Sequence, residues 1–187
     1  MKLYHISETP DIKEFVPQPS RRKDKNLVWA ISEDKLPNYL LPRDCPRVVF
    51  FTKENSNPDD VKRLMGCSNV KAIIAIERKW VTIIQNTILY KYEFNPKDFV
   101  LDDMSAGYYV SNMPQKPISV ITIDNILNEL SKYDIELRIM PSLWKIREEV
   151  IKSSLDFSII RMNKASPPED GMENFFPLPK DSFDVNE

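Results

Sequence analysis

Apolar residues in this chain come in short runs separated by proline-rich polar stretches, and the runs are strand-length rather than helix-length. Residues 3–6, 27–31 and 48–51 each predict a short strand. Residues 9–15 predict a turn and a short helical segment, closed by Pro17 and Pro19. Ser32 predicts the cap of a short helix. Glu33 and Asp34 lie in its first turn, where acidic groups meet the positive helix end. Leu36, Tyr39 and Leu40 form its apolar stripe, and Pro42 and Pro46 end it. Asn57-Pro58-Asp59-Asp60 combines a cap, a proline at the first helical position and two acids, so it predicts a helix start. Gly66 is the matching stop. The continuous run Ala72-Ile73-Ile74-Ala75-Ile76 predicts a central strand. Residues 87–94 alternate, with Ile88, Tyr90, Tyr92 and Phe94 on one face, and predict a strand half-buried on one side.

The last third continues in the same way. Residues 117–122 predict a strand. Thr122 predicts the cap of a helix whose Ile123, Ile126, Leu127 and Leu130 recur at helical spacing. Ile135, Leu137 and Ile139 alternate with Glu136, Arg138 and Met140 along another strand. Ser142 predicts the cap of a second helix, with Leu143, Ile146, Val150 and Ile151 on its core face. Residues 157–162 predict a final strand. Many short strands, few helices and no βαβ rhythm predict an α+β fold. Its sheet is curved and mostly antiparallel, or a split barrel, in a single domain over residues 1–165. Residues 20–26 predict a charged, mobile loop that holds Arg21 and Arg22. Residues 166–187 carry six acids, one base and four prolines without any period. They predict an extended or disordered tail, with Phe175, Phe176 and Phe183 available to dock on the domain or on a partner.

Composition narrows the function classes. The chain has 187 residues, 42% of them hydrophobic, enough for a core, and a net charge of -2. Duplex-binding proteins usually carry a basic excess, so duplex nucleic acid is disfavoured as a partner. No run approaches the ~20 apolar residues of a membrane span. His5 and Ser7 interrupt the apolar opening, which is unlike a signal peptide. Cys45 and Cys67 are expected to be reduced thiols in a cytoplasmic protein. The three glycines are scattered, so phosphate-cradling glycine loops are absent. One histidine and two distant cysteines make no metal site.

The candidate chemistry begins with that histidine, in Tyr4-His5-Ile6-Ser7. On a strand, His5 and Ser7 share a face and Tyr4 points the other way. The imidazole can donate to a ribose hydroxyl or an amide carbonyl, or be satisfied by a backbone carbonyl. Trp29 offers a flat wall for a planar ring, or simple core packing. In Gly107-Tyr108-Tyr109-Val110-Ser111 the glycine permits close backbone approach, and Tyr109 and Ser111 share a face. Arg43 and Arg47 flank Asp44-Cys45-Pro46 in a proline-stiffened loop and suit a phosphate, or a surface ion pair with Asp44 for Arg43. Glu136 and Arg138 read as a structural ion pair. A cysteine nucleophile would need His5 brought to Cys45 or Cys67 by the fold.

The opening Leu3-Tyr4-His5-Ile6-Ser7, followed by Phe15-Val16-Pro17, resembles the start of ADP-ribosyltransferase-like domains. Trp29-Ala30 resembles their second strand, and Tyr108-Tyr109-Val110-Ser111 a later one. Residues 36–47, Leu-Pro-Asn-Tyr-Leu-Leu-Pro-Arg-Asp-Cys-Pro-Arg, resemble the hallmark of a bacterial family of unknown function. The transferase resemblance implies an ADP-ribosyltransferase-like fold in which His5 binds a ribose hydroxyl of NAD and Trp29 stacks on nicotinamide. The glutamate of active members has no match, because positions 109–111 read Tyr-Val-Ser. A phosphate-removing branch of the fold uses a second histidine, absent here. The expected cleft is lined by His5, Ser7, Trp29, Tyr109 and Ser111, with Tyr4 beside it and Arg43 and Arg47 on a phosphate. His5 and Ser111 are its candidate catalytic groups. The resemblance implies binding of NAD or another nucleotide, with ADP-ribosyl transfer or glycohydrolysis as the activity. The alternative is a non-catalytic domain that keeps the fold and binds a protein.

Overall fold

Short strands follow one another along the chain, joined by turns, loops and short helices, in keeping with the short apolar runs. The computed structural model describes residues 1–20, 25–104 and 106–168. Arg21, Arg22 and the tail beyond residue 168 lie outside the described residues. The described residues divide into two compact units, one within residues 1–43 and 84–130, the other of residues 44–83 and 131–168.

The first unit is built on strands β1 (Leu3–Ser7), β2 (Gln18–Pro19), β3 (Asn26–Ser32), β6 (Leu89–Phe94), β7 (Val100–Asp103), β8 (Tyr108–Ser111) and β9 (Ser119–Ile123). The second holds β4 (Arg47–Phe51), β5 (Ala72–Glu77), β10 (Ile135–Met140) and β11 (Asp156–Ile160), with helices α1 (Pro58–Met65) and α4 (Trp144–Ile151). Helix α2 (Val81–Asn86) carries the chain back to the first unit, and α3 (Ile126–Leu130) closes that unit.

In the first unit the strand order is β7-β8-β3-β1-β6-β9, with β2 paired to β3, and every pairing is antiparallel. The path has two ends, so no barrel closes. One side packs Leu3, Val28, Ala30, Phe94 and Phe99 together, with Phe15 and Tyr109 against them. In the second unit the order is β10-β5-β4-β11, and only β10 and β5 run parallel. The apolar run of residues 72–76 is a central strand, as predicted. Val48, Phe50, Ile73, Ala75 and Ile159 pack against Leu64 of α1 and Leu143, Ile146 and Val150 of this end of the chain. Among the described residues no helix is long and apolar enough to cross a membrane.

Several local expectations hold atom by atom. The Asn57 side chain accepts from Asp59 N at 2.8 Å and caps α1. Gly66 ends that helix at φ 64°, its N–H donating to Lys62 O. Glu136 and Arg138 form an ion pair at 2.8 Å.

Others are corrected. The segment 9–15 makes no helix. Asp11 takes a left-handed φ of 58°, and the Tyr92 hydroxyl holds the loop by donating to Thr9 O (2.8 Å) and accepting from Ile12 N (3.1 Å). The element after Ser32 is a 3-10 helix over Glu33–Tyr39, and Ser32 makes no side-chain cap. Pro37 lies inside it, lacks an N–H and cannot join an α ladder. Thr122 is no cap either: β9 runs through Ile123, because the β-branched Ile121, Thr122 and Ile123 suit the pleat opposite β6. Asn125 caps the shorter helix instead, accepting from Asn128 N at 2.9 Å. Leu89 is buried as fully as Tyr92 and Phe94, so β6 buries side chains on both faces. The last strand stops at Ile160, because Arg161 turns to a left-handed φ of 55°.

Candidate functional site

The site grows from a mismatch in strand pairing. β1 follows β6 over its whole length, from Leu3↔Phe94 to Ser7↔Tyr90, but pairs with β3 only at Leu3↔Ser32 and Tyr4↔Ile31. Where the two ladders part, the His5 side chain takes over. Its Nδ1 lies 3.1 Å from the carbonyl oxygen of Trp29. A carbonyl can only accept, so Nδ1 carries the proton and the neutral ring keeps Nε2 as an acceptor. Burial pulls the His5 pKa below its ordinary value. The bond to Trp29 pushes the other way, and the positive charge of Arg43 lowers it further. The ring is therefore neutral at pH 7.

Aromatic rings hold it in place. Phe15 lies 4.8 Å from the His5 ring and packs edge-on against Tyr92 and Phe94 at 5.1 and 5.0 Å. Phe15 is fixed by a two-way backbone bridge to Gln115, at 2.8 and 2.9 Å. The Gln115 amide donates to Ser111 Oγ at 2.8 Å. Ser111 also accepts from Met113 N and is only 3% exposed, so its hydroxyl holds the turn after β8. Ser7 Oγ accepts from Thr9 N at 3.0 Å and shapes the loop after β1.

Register assigns the faces. Tyr109 pairs with Ala30 and Ser111 with Val28, and Leu3 pairs with Ser32, so His5, Ser7, Tyr109 and Ser111 share one face of the sheet. Tyr4 pairs with Ile31, which puts Tyr4 and Trp29 on the opposite face. Trp29 therefore does not wall a ring beside His5. It packs edge-on against Tyr108 at 5.6 Å, and Tyr108 shares a hydroxyl hydrogen bond with Tyr39. Tyr4 donates to Glu33 at 3.4 Å, and Lys91 sits 5.5 Å from its ring centre. Tyr109 borders an open groove of about 470 Å³, with Ser32, Glu33, Asp34, Leu101 and Met104.

The two arginines fall in different units. Arg43 belongs to the first unit, is exposed, and donates its backbone N–H to Glu8 Oε1 at 2.7 Å. Arg47 belongs to the second unit and is 3% exposed, donating to Cys45 O at 3.1 Å. Burial pushes the Cys45 thiol up to about 12, so it stays protonated and makes a poor nucleophile. Cys67 is exposed and free.

Sequence reading missed Gln115 altogether, and it treated Phe15 and Tyr92 as framework only. The alternation of residues 88–94 marks Tyr92 as a face residue, but nothing local says that this face carries His5. Among the described residues no three metal-ligating groups cluster. No curated protein and no solved structure matches the chain. The model of a family of unknown function, DUF6886, matches residues 4–165, and the chain belongs to that family.

Proposed function

We propose that the first unit binds NAD or a related ADP-ribose-containing nucleotide on the His5 face. The observation that carries this reading is the protonation of His5. A neutral ring with Nδ1 committed to Trp29 leaves Nε2 to accept a hydrogen bond, which a ribose hydroxyl can donate. The charge of Arg43 acts on the same ring, so a cation lies within electrostatic reach for a phosphate. Tyr109 supplies apolar surface on that face. Trp29 plays no part, and Arg47 is assigned to packing of the second unit.

The test is thermal unfolding with NAD, ADP-ribose and plain nucleotides at roughly 1 mM. His5→Asn is the diagnostic variant, because its amide can still donate to Trp29 O while Nε2 is lost. Wild type is expected to gain several degrees with NAD or ADP-ribose. His5→Asn loses that gain, and Arg43→Gln reduces it. A flat panel in wild type rejects the proposal.

A second reading is binding without catalysis, or a protein-interaction domain that keeps the fold. Positions 109–111 hold no carboxylate, and the Ser111 hydroxyl is already occupied by Gln115 and Met113. It expects no nicotinamide release from NAD, whether or not NAD binds.

A further inference from the structure

The sheets leave several edges, and they are not protected alike. β7 ends in Asp102-Asp103 and shifts register between Leu101 and Asp103. β2 carries Pro19. β10 carries Glu136 and Arg138, and β11 carries Asp156, paired with Lys53 at 2.8 Å. Charges, bulges and prolines are the usual means of keeping an edge from pairing with another chain. β9 has none of these. It ends the strand order of the first unit and, among the described residues, pairs only with β6, in unbroken register from Leu89↔Ile123 to Glu93↔Ser119. Its residues are Ser-Val-Ile-Thr-Ile, all uncharged and β-branched from Val120 on. Val120 is 49% exposed, Ile121 51% and the preceding Ile118 63%. Val120 and Ile121 point to opposite faces, so apolar surface lies on both sides of the edge.

Charge at the two ends of this segment says what covers it. Lys116 precedes the strand and Asp124 follows it, both exposed. Lys116 makes one long contact, 3.9 Å to Glu14, and its side chain stays 77% exposed. When the segment pairs antiparallel with a copy of itself about Val120, Lys116 of each copy meets Asp124 of the other. Ser119 then lies opposite Ile121, and Ile118 opposite Thr122. Pro117 falls at the end of the paired stretch, where its missing N–H is not needed. The strand is thus complementary to itself in register and charge, with Val120 of each copy meeting Val120 of the other, which suits a two-fold interface. We propose that β9 is a homodimer interface in which two copies join edge to edge in this register, making one continuous sheet of the two first units.

The experiment is sedimentation of the full chain from roughly 10 to 500 µM. Wild type is expected to pass from monomer to dimer within that range. Ile121→Lys, which puts two charges across the new ladder, leaves a monomer. Lys116→Glu and Asp124→Lys, both outside the strand, each weaken the dimer by roughly tenfold. The double variant Lys116→Glu/Asp124→Lys exchanges the charges and recovers wild-type association. Circular dichroism verifies that each variant is folded, and the two end variants keep the test valid if Ile121→Lys is not. A wild type that stays monomeric overturns the proposal and leaves the edge to a foreign strand. Dimers unaffected by Ile121→Lys, assemblies larger than dimers, or a double variant as weak as the singles also overturn it.

Discussion

His5 shows how one side chain replaces a missing piece of ladder. β1 and β3 stop pairing after Tyr4, and just beyond that point the imidazole of β1 donates to Trp29 O of β3. The bond constrains the tautomer, and burial keeps the ring neutral. The folded-state pKa lies below the ordinary value of 6.5, so the unfolded chain takes up the proton first as pH falls. This contribution to stability is complete above that value and declines below it. The expected result is a steeper loss of melting temperature from about pH 7.5 to about pH 5.5 in wild type than in His5→Asn, which cannot titrate there. Parallel curves for the two proteins would remove His5 from the account. Position 5 was legible as a polar group on a short strand. Its partner was not, because the Trp29 carbonyl is set by register between strands 24 residues apart. Ser111 followed the same rule. Its residue type suggested chemistry, but Gln115 and Met113 occupy its hydroxyl.

Elements were read best where the signal was local. Asn57-Pro58 and Gly66 delimit α1 through their own backbone preferences, and the model of the helix needed no tertiary information. Thr122 and Ile123 were read as the cap and first residue of a helix because apolar spacing at 123, 126, 127 and 130 fits a helix period. Pairing with β6 and β-branching outweighed that period. The turn between β7 and β8 depends on one glycine. Gly107 sits at φ 70°, and its carbonyl accepts from Ser32 N at 2.9 Å. A Cβ there would lie 2.4 Å from Ser32 Oγ and 2.6 Å from Lys35 Cγ. Gly66 shares the positive φ but has open space around it. Gly107→Ala is therefore expected to cost about 2–4 kcal/mol in urea unfolding, against about 1 kcal/mol for Gly66→Ala. Equal costs would mean that strain alone, and not the contact with Ser32, sets the price at Gly107.

At the scale of the whole chain, two units have separate cores, each interleaving segments distant in sequence. The second unit closes around a buried carboxylate. Glu77 accepts the Ser166 N–H on both oxygens, at 2.9 and 3.1 Å, and pairs with Lys79 at 3.1 Å. The Trp144 indole donates to Ser166 O at 2.7 Å. These bonds anchor Ser166, one residue past the family match and near the end of the described residues. Glu77→Ala leaves the Ser166 N–H without its acceptor and is expected to cost about 1–3 kcal/mol. It should also shift Trp144 fluorescence and speed proteolysis near residue 166. Unchanged cleavage there would show that the anchor lies elsewhere.

Hydrophobic pattern, proline positions and cap residues were enough to establish an α+β chain of short, mostly antiparallel strands, the start and stop of α1, and a histidine on the first strand. These follow from backbone preferences and burial, which act within a few residues. The split into two units, the opposite faces of His5 and Trp29, and the assignment of Arg43 and Arg47 to different units could not be read that way. Each depends on which distant strands pair and in what register, and one residue of register reverses every side chain on a strand.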